Sequence, residues 1–233
     1  MNLFVGTSGY SYKEWKGKFY PNEIKPAEML KFYAEHFGAV EINNTFYRMP
    51  EKDLVRSWMK EVPGSFKFAL KAPQKITHIR RLKSVEDELA HFLDVASVLK
   101  KQLGPLLFQF PGNFRKDAER LAGFLKLLPK NFQAAFEFRD ASWFANDIFE
   151  MLREHNAALC IAESEETVDV PFEATADWGY LRLRRVDYER SDLKKWLSRI
   201  EKQKWNEAHI FFRHEDLGLG PKFAEMFLEF AKI

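Results

Sequence analysis

The feature that most constrains the fold of this chain is a regular alternation of short, β-rich apolar runs with longer segments of helical period. Eight runs are predicted as strands, namely LFVGTS (3–8), AVEIN (39–43), FKFALKA (66–72), PLLFQF (105–110), QAAFEFR (133–139), ALCIAE (158–163), GYLRLR (179–184) and HIFFRH (209–214). Amphipathic helical segments lie between most of them, and one more ends the chain. This alternation predicts a parallel sheet whose strands are linked by helices.

The length of the chain helps to decide between the two common parallel architectures. Its 233 residues approach the roughly 250 that a (β/α)8 barrel usually needs. We therefore predict a single (β/α)8 TIM-type barrel domain over residues 1–233, irregular between strands six and seven, where no clear helix is found. A doubly wound open sheet is the alternative, but the chain contains neither a GxGxxG nor a GxxxxGK[ST] motif.

Composition narrows the class of protein further. The net charge is only +2, from 36 basic and 34 acidic residues, which does not indicate a nucleic-acid or membrane partner. Cys160 is the single cysteine, so disulfides within the chain and cysteine-rich metal sites are excluded. No apolar run approaches the roughly 18 residues of a membrane-spanning helix, and the start of the chain lacks the features of a signal peptide. We expect a cytoplasmic protein.

A charged pair inside the fifth predicted strand indicates a polar barrel interior. Side chains alternate between the two faces of a strand, so Phe136 and Phe138 would face the helices while Glu137 and Arg139 point inward. The same phase in other strands turns further polar side chains inward: Glu41, Asn43, Lys71, Gln109, Arg182 and Arg184.

Charges inside a barrel must be paired or lie in a wet pocket, because a lone buried ion costs several kcal/mol. One interpretation is an internal network, in which Lys71 and Arg139 neutralise Glu41 and Glu137 and only fix the register of the barrel. The other is a polar pocket at the C-terminal mouth. We favour the pocket because the polar residues cluster near strand ends, where the active sites of such barrels lie.

The candidate catalytic residues are two carboxylates and one histidine. Glu41 or Glu137 would act as acid or base, and His78, in the loop after strand three, is the best-placed histidine for proton transfer. Cationic side chains would hold an anion, amides would orient the substrate, and aromatic rings would wall the site. The predicted substrate-binding residues are Tyr10, Asn43, Asn44, Tyr47, Lys71, Gln109, Arg139, Trp143 and Arg182.

Metal and cofactor chemistry is not predicted. Several possible metal ligands fall near strand ends: Glu41, Glu137, Asp140, Glu163 and His214. However, the chain has no HxH or HExxH spacing and cations crowd the same face, so we predict neither a metal nor an organic cofactor. Strand eight is itself ambiguous, because either Arg213 or His214 could point inward. Cys160 lies within a strand, with no histidine beside it in sequence, and is expected in the core.

Six stretches of the sequence resemble the family called domain of unknown function 72, the YecE-like family. They run from residue 5 to residue 227 and read VGTSGYSYKEWKGKFYP, VEINNTFYRMP, FKFALKAPQKITH, LGPLLFQFP, FEFRDASWF and FRHEDLGLGPKFAEMF. The resemblance implies a TIM-type barrel and supplies no reaction. Around strand seven, members of the family look like Tyr-x-Arg-x-His-Gly, whereas this chain has Arg184 and Arg185 in place of His-Gly. If that histidine does chemistry in the relatives, the departure implies loss of that activity or a more anionic ligand.

The function predicted from the sequence is an enzyme of hydrolase, lyase or isomerase type that acts on an anionic, phosphate- or carboxylate-bearing small molecule. One alternative is a nucleic-acid-binding or phosphodiesterase-like barrel, with a basic rim and stacking faces made by Arg80, Arg81, Arg184, Arg185 and the aromatic loop 10–20. The near-neutral net charge disfavours it. The other alternative is a non-catalytic ligand-binding scaffold. The sequence does not indicate an oligomeric state.

Overall fold

Eight parallel strands close into one barrel in the computed structural model, which describes residues 1–163, 169–213 and 218–231. The strands are β1 Asn2–Ser8, β2 Ala39–Ile42, β3 Lys67–Lys71, β4 Leu103–Gln109, β5 Ala134–Glu137, β6 Ala158–Glu163, β7 Trp178–Leu183 and β8 Glu207–Phe212. They pair in chain order, and β1 closes the barrel against β8. Each overlaps a predicted strand, so the predicted (β/α)8 TIM-type barrel is confirmed.

Helices cover the outside of the barrel. In the described residues the α-helices are α1 Met29–His36, α2 Lys52–Glu61, α3 Glu86–Ser97, α4 Ala118–Leu125, α5 Asn146–Glu154, α6 Arg190–Glu201 and α7 Leu219–Ala231. Two short 3-10 turns, Asn44–Phe46 and Ala141–Trp143, follow β2 and β5, and a π-helical turn, Lys75–Ile79, follows β3. None of the helices described is long and apolar enough to cross a membrane.

The connection from β3 to β4 differs from what the sequence predicts. The segment EDELAHFLDVASVLKKQLG (86–104) has helical periodicity throughout and ends in a glycine that would stop a helix, whereas α3 ends at Ser97 and β4 already begins at Leu103. Gly104 lies inside the strand, where an added Cβ would come within 3.3 Å of the backbone of Phe68. The glycine therefore permits a close approach of two strands and does not end a helix.

The larger part of the core lies between the strands and the helices and is rich in aromatic rings. Phe108 and Phe136 of neighbouring strands stack with their ring centroids 5.4 Å apart. Phe92 of α3 and Phe124 of α4 pack edge-on against Phe108. Phe138 belongs to the same outer layer, so the predicted outward phase of the fifth strand is confirmed. Burial of each such side chain contributes roughly 1.5–3 kcal/mol.

The barrel interior is filled mainly by smaller side chains. Its apolar part consists of Ala39, Ala69, Leu107, Ala135, Ala158, Cys160, Ala162, Trp178, Tyr180 and Phe211. Alanines suit this position because eight inner faces converge on a narrow space. In β8, Phe211 faces inward and Phe212 outward, so the inward phase continues to Arg213. His214 lies outside the described residues.

Candidate functional site

Polar side chains from five strands meet at the C-terminal end of the barrel and form what we call the mouth cluster. It comprises Glu41, Asn43, Lys71, Gln109, Glu137, Arg139, Tyr180, Arg182 and Arg184. Parallel strands bring the residues at their C-terminal ends to the same rim of the barrel. The inward phase predicted for strands two, three, four, five and seven is therefore confirmed.

Arg182 of β7 lies at the centre of the mouth cluster and bridges two carboxylates from other strands. Its Nη1 donates to Glu137 Oε2 of β5 at 2.6 Å, and its Nη2 donates to Glu41 Oε1 of β2 at 2.9 Å. The Arg182 side chain is 1% exposed, and both carboxylates are fully buried. Such charge-assisted hydrogen bonds are strong where water does not compete for them. Arg182 therefore links three strands across the barrel interior.

Glu137 accepts three further hydrogen bonds. Its Oε1 accepts from Arg184 Nη2 at 2.8 Å, from Gln109 Nε2 at 2.9 Å and from Arg139 Nε at 3.3 Å. Burial alone would raise the pKa of Glu137, but Arg182, Arg184 and Arg139 together outweigh burial and hold this pKa well below its usual value. Glu137 is therefore ionised at neutral pH.

Glu41 is held in the same way by fewer charges. Its Oε2 accepts from the Tyr180 hydroxyl at 2.7 Å, and its Oε1 accepts from Asn43 Nδ2 at 3.1 Å. Burial raises the pKa of Glu41, but Arg182 and the Tyr180 hydrogen bond lower it by more. Ser8, the neighbour of Glu41 on β1, also lowers this pKa, although its hydroxyl makes no hydrogen bond of normal geometry.

The two carboxylates are thus ionised hydrogen-bond acceptors in an internal network. The network differs from the expected one, because Arg182 and not Lys71 is the main partner of Glu41 and Glu137. Every oxygen of both carboxylates already accepts a hydrogen bond from a guanidinium or from the Tyr180 hydroxyl. This geometry does not suit the acid/base role predicted for either glutamate.

Lys71, at the end of β3, is partly buried. Its Nζ lies 4.1 Å from the centroid of the Phe46 ring, and it forms no ion pair with any carboxylate of the described residues. Burial and the nearby Arg182 lower the pKa of Lys71 to about 8, although Glu137 and Glu41 act in the opposite direction. Lys71 is thus a cation that readily gives up its proton.

His78 lies on the π-helical turn after β3 and approaches the same aromatic ring. Its own ring packs edge-on against Phe46, with the centroids 4.8 Å apart. Its Nδ1 lies 2.9 Å from Thr77 Oγ1. Burial, Lys71 and Arg139 lower the pKa of His78 to about 4. His78 is therefore neutral at neutral pH and can accept a proton.

Two predicted wall residues are packed into the outer core instead. Trp143 is fully buried, stacks on Phe138 with 4.6 Å between ring centroids, and donates its Nε1 hydrogen to Phe114 O at 2.6 Å. Tyr10 packs with its ring 6.2 Å from that of Tyr33 on α1, and burial is the main cause that raises its pKa to about 12. The expectation that Trp143 and Tyr10 wall the mouth is therefore corrected.

Asn44 and Tyr47 line a groove on the outside of the barrel rather than the mouth. The groove, with a volume of about 500 Å³, also contacts Leu54 and Trp58 of α2. Tyr47 is 75% exposed. The 3-10 turn after β2 buries Phe46 and leaves both of these residues on the surface. Of the predicted binding residues next to β2, Asn43 alone joins the mouth cluster.

Three residues close to Glu41 or Glu137 were not assigned to the enzyme site from the sequence, namely Ser8, Tyr180 and Arg184. Tyr180 stands two residues before Arg182, and Ser8 ends β1, so the period-two phase could have identified both. Arg184 was predicted to point inward and was given a binding role only in the nucleic-acid alternative. It stands where the family resemblance predicts histidine, and its guanidinium is ion-paired with Glu137.

Of the possible metal ligands near the strand ends, His214 lies outside the described residues. Within residues 1–163, 169–213 and 218–231, no group of three or more His, Cys, Asp or Glu side chains could hold a metal ion. Asp140 accepts a hydrogen bond from the Ser142 backbone N–H, and Glu163 accepts one from the Tyr188 hydroxyl. Cys160 is fully buried in the barrel interior, and burial raises its pKa well above the usual value.

Much of the basic and aromatic rim considered for nucleic acid is already engaged within the protein. Arg80 and Arg185 each pair with a carboxylate on a helix. In the loop 10–20, Trp15 and Tyr20 are buried. Few of these groups are therefore left to contact a phosphate backbone or to stack on bases.

These features define a closed parallel (β/α)8 barrel with a buried ionic cluster at its C-terminal mouth. The family described as "Protein of unknown function DUF72" matches residues 4–233, and the chain belongs to this family.

Curated relatives share a little over a quarter of their aligned residues with this chain. The UPF0759 protein YecE of Escherichia coli (strain K12) is 29% identical over 144 residues, which is 61% of this chain and 50% of that protein. The UPF0759 protein YunF of Bacillus subtilis (strain 168) is 28% identical over 156 residues, which is 64% of this chain and 54% of that protein. The chain thus spans about half the length of the curated relatives it matches.

Solved structures of the family share the whole fold. A DUF72 family protein from Thermotoga maritima MSB8 matches with a TM-score of 0.88 and 25% identity, over 100% of both chains. A DUF72 family protein from Enterococcus faecalis V583 matches with a TM-score of 0.79 and 20% identity, over 99% of this chain and 96% of that one. None of these names states a substrate or a reaction.

Proposed function

We propose that this protein is an enzyme that acts on a small substrate carrying a phosphate or a carboxylate, bound at the C-terminal mouth of the barrel. One observation carries the proposal: among the described residues, the mouth cluster holds more cations than carboxylates. Its cations are Lys71, Arg139, Arg182 and Arg184, and its carboxylates are Glu41 and Glu137. A surplus of positive charge in a confined site attracts an anion, which relieves the repulsion among the cations.

Arg139 is the best-placed contact for such an anion. Its Nε donates to Glu137, whereas its Nη1 and Nη2 have no hydrogen-bond partner among the described residues. The Arg139 side chain is 32% exposed, so a ligand can reach it. The two terminal nitrogens of a guanidinium match the geometry of a phosphate or carboxylate and can bind it in a bidentate manner.

Proton transfer in this proposal falls to Lys71 and His78. Both are partly exposed, and both have a pKa lowered from the usual value, to about 8 for Lys71 and about 4 for His78. A group with a pKa near the working pH is suited to general acid/base catalysis, which Lys71 satisfies at neutral pH, whereas the neutral His78 ring would relay a proton between its two nitrogens. Hydrolase, lyase and isomerase reactions can proceed with such groups and a bound anion.

The anion site is tested by adding inorganic phosphate or citrate and measuring thermal unfolding and the heat of binding. We expect a saturable rise of the Tm, since a ligand at ten times its Kd stabilises the folded state by roughly 1.4 kcal/mol. Arg139→Gln should remove most of this rise. Arg56→Gln is the matched control, because it removes a surface guanidinium paired with Asp53, and it should bind as the parent does. Equal loss in both variants, or no binding to the parent, overturns the proposal.

Turnover separates an enzyme from a ligand-binding scaffold. A screen of phosphate- and carboxylate-bearing compounds should find one that is converted by the parent protein and not by Lys71→Arg. Anion binding without any conversion in such a screen would favour the scaffold. Binding of single-stranded DNA that weakens steeply with salt would favour the nucleic-acid alternative.

A further inference from the structure

We propose that Lys71 is a nucleophile, whose ε-amine condenses with the carbonyl group of an anionic aldehyde or ketone to form a Schiff base at the mouth of the barrel. This inference rests on the proposed anion site, because the anionic group of the substrate would be held by Arg139. Beyond that anion site, the inference specifies the class of substrate, an anionic aldehyde or ketone, and the covalent step.

The surroundings of Lys71 differ from those of the lysines that pair with carboxylates. Lys52, Lys75 and Lys116 each form an ion pair with a carboxylate, and their side chains are 41%, 53% and 35% exposed. Lys71 is partly buried and forms no ion pair with a carboxylate of the described residues. Its Nζ lies over the Phe46 ring, which shields one side of the amine from water. An amine that is desolvated and free of a carboxylate partner is a typical Schiff-base lysine.

Neighbouring guanidiniums favour the neutral, reactive form of this amine. The aromatic ring attracts an ammonium ion and would favour the charged form. Burial and Arg182 nevertheless lower the pKa of Lys71 to about 8. At pH 7 roughly a tenth of such amines are neutral, against fewer than about one in a thousand for a lysine of ordinary pKa.

The chemical step balances without an oxidant or reductant. The nitrogen lone pair forms a bond to the carbonyl carbon while the carbonyl π pair moves to oxygen. A proton passes from nitrogen to that oxygen and gives a carbinolamine. A further proton from solvent on the hydroxyl oxygen lets water leave with the C–O bonding pair, while the nitrogen lone pair forms the C=N bond of the protonated imine. His78 packs on the same Phe46 ring and is neutral, so it can relay the proton. The resulting iminium withdraws electrons from the adjacent carbon, as a lyase or isomerase reaction requires.

Reductive trapping with a matched pair of aldehydes tests this proposal. Pyridoxal 5′-phosphate and pyridoxal carry the same aldehyde, but only the first carries a phosphate. The full chain is treated with each at low concentration, reduced with borohydride and analysed by peptide mass spectrometry. We expect pyridoxal phosphate to label Lys71 at least tenfold faster than Lys75, with a half-maximal rate near pH 8. Pyridoxal should label Lys71 more slowly, and inorganic phosphate should protect it.

Two variants complete the test. Lys71→Arg keeps the charge and removes the nucleophile, so label at that position disappears while phosphate still raises the Tm. Lys75→Arg, four residues along the chain, leaves the labelling of Lys71 unchanged. If Lys71→Arg does not fold, the pH profile of labelling in the parent protein decides alone.

The outcomes distinguish this inference from the anion site beneath it. Labelling of Lys71 no faster than of Lys75, in a protein that binds phosphate, overturns the nucleophile and leaves the anion site standing. Fast labelling of Lys71 by both aldehydes, with no protection by phosphate, supports the reactive amine and overturns the anionic class of substrate.

Discussion

The two ends of the barrel interior each contain buried or partly buried polar side chains, but among the residues that the structure describes only the mouth carries a surplus of charge. At the N-terminal end, Lys67, Gln133, Glu207 and His209 form what we call the floor cluster. Glu207 Oε1 accepts from Gln133 Nε2 at 2.8 Å and from His209 Nε2 at 3.2 Å. Lys67 Nζ donates to a backbone carbonyl at 2.8 Å. Burial lowers the pKa of His209 and keeps it neutral, so the floor cluster has one cation and one carboxylate.

The difference between the floor cluster and the mouth cluster bears on function. Both lie inside the same barrel and tie strands together, so ordered polar groups are compatible with this interior at either end. The floor achieves this with balanced charge and with the His209 ring stacked on Phe4 at 4.9 Å. The surplus cations at the mouth are therefore not required by barrel closure. Catalytic sites of this fold lie at that same end.

The largest loss of stability is expected when Arg182, which bridges the two carboxylates of the mouth cluster, is replaced. Arg182→Met leaves Glu41 and Glu137 buried without their shared guanidinium, and breaking a buried ion pair in this way costs about 3–5 kcal/mol. Lys67→Met at the floor is the matched control and should cost less than about 1 kcal/mol, because Lys67 forms no ion pair with a carboxylate of the described residues and its Nζ donates to a backbone carbonyl. Urea unfolding of both variants measures the difference. Similar costs would erase the distinction between the two ends.

A smaller loss is expected when one charge is removed without changing shape. Glu137→Gln keeps an acceptor oxygen but turns an amide towards guanidiniums that now lack their counterion. Loss of hydrogen bonds to a charged group costs about 1.5–3 kcal/mol. The free energy of unfolding should fall by that amount, and phosphate affinity should rise, because the surplus of cations grows. Unchanged stability would mean that the mouth cluster is more hydrated than its burial indicates.

The pH dependence of stability should separate the two clusters. The folded-state pKa of His209 is lowered, chiefly by burial, so the unfolded chain binds more protons below about pH 6.5. Above about pH 6.5, His209 makes its full contribution to the free energy of unfolding. As the pH falls from there towards the folded-state pKa, this contribution is lost by up to about 1.4 kcal/mol per pH unit. Glu41 and Glu137 also have lowered pKa values, but their contributions begin to be lost only below about pH 4.3.

His209→Phe isolates the floor in this experiment. The phenylalanine ring can stack on Phe4 as the histidine ring does. The substitution removes the titration of His209, which is the only one between about pH 6.5 and 5 that we assign to the mouth cluster and the floor cluster. Urea unfolding at intervals from pH 8 to 4 should show a shallower slope between about pH 6.5 and 5 for the variant than for the parent, because only His78, whose pKa is lowered to about 4, then contributes through its lowered histidine pKa. Equal slopes in the variant and the parent would place the origin of the slope outside His209.

The sequence predicts the barrel and the inward phase of its polar residues, because both follow from local periodicity. A shift of one residue would place Phe136 in the barrel interior and Glu137 against the helices. Burial therefore fixes the phase of the whole strand. The partners within the mouth cluster were not predictable in the same way. That Arg182 reaches both β2 and β5 depends on distances across the closed barrel, which no local pattern contains.

Residues beyond the strand ends were placed wrongly where a turn of another period follows. After β5, the 3-10 turn Ala141–Trp143 carries Trp143 back to the aromatic outer layer, where its Nε1 hydrogen finds Phe114 O. After β2, a 3-10 turn leaves Tyr47 on the surface. Period-two reasoning holds for the strand and for the one or two residues after it, so it identifies Asn43 and Arg139 but not the residues in the turns that follow.

The smallest loss of stability is expected from Glu207→Gln in the floor cluster. Glu207→Gln keeps an oxygen that can accept from Gln133 and His209, and Glu207 is only partly buried, so water can replace what the charge contributed. The cost should be smaller than that of Glu137→Gln, because Glu207 loses its charge beside an amide and a neutral histidine rather than beside three guanidiniums. The pKa of Glu207 is lowered to about 2, first by the His209 hydrogen bond, so this carboxylate stabilises the fold above about pH 4.3 and progressively less down to about pH 2. Because Glu137→Gln and Glu207→Gln are the same chemical change, the difference between their unfolding free energies measures what the surplus of cations adds at the mouth. Equal values would show that the surplus is screened by water, and the electrostatic case for an anion site would fall with it.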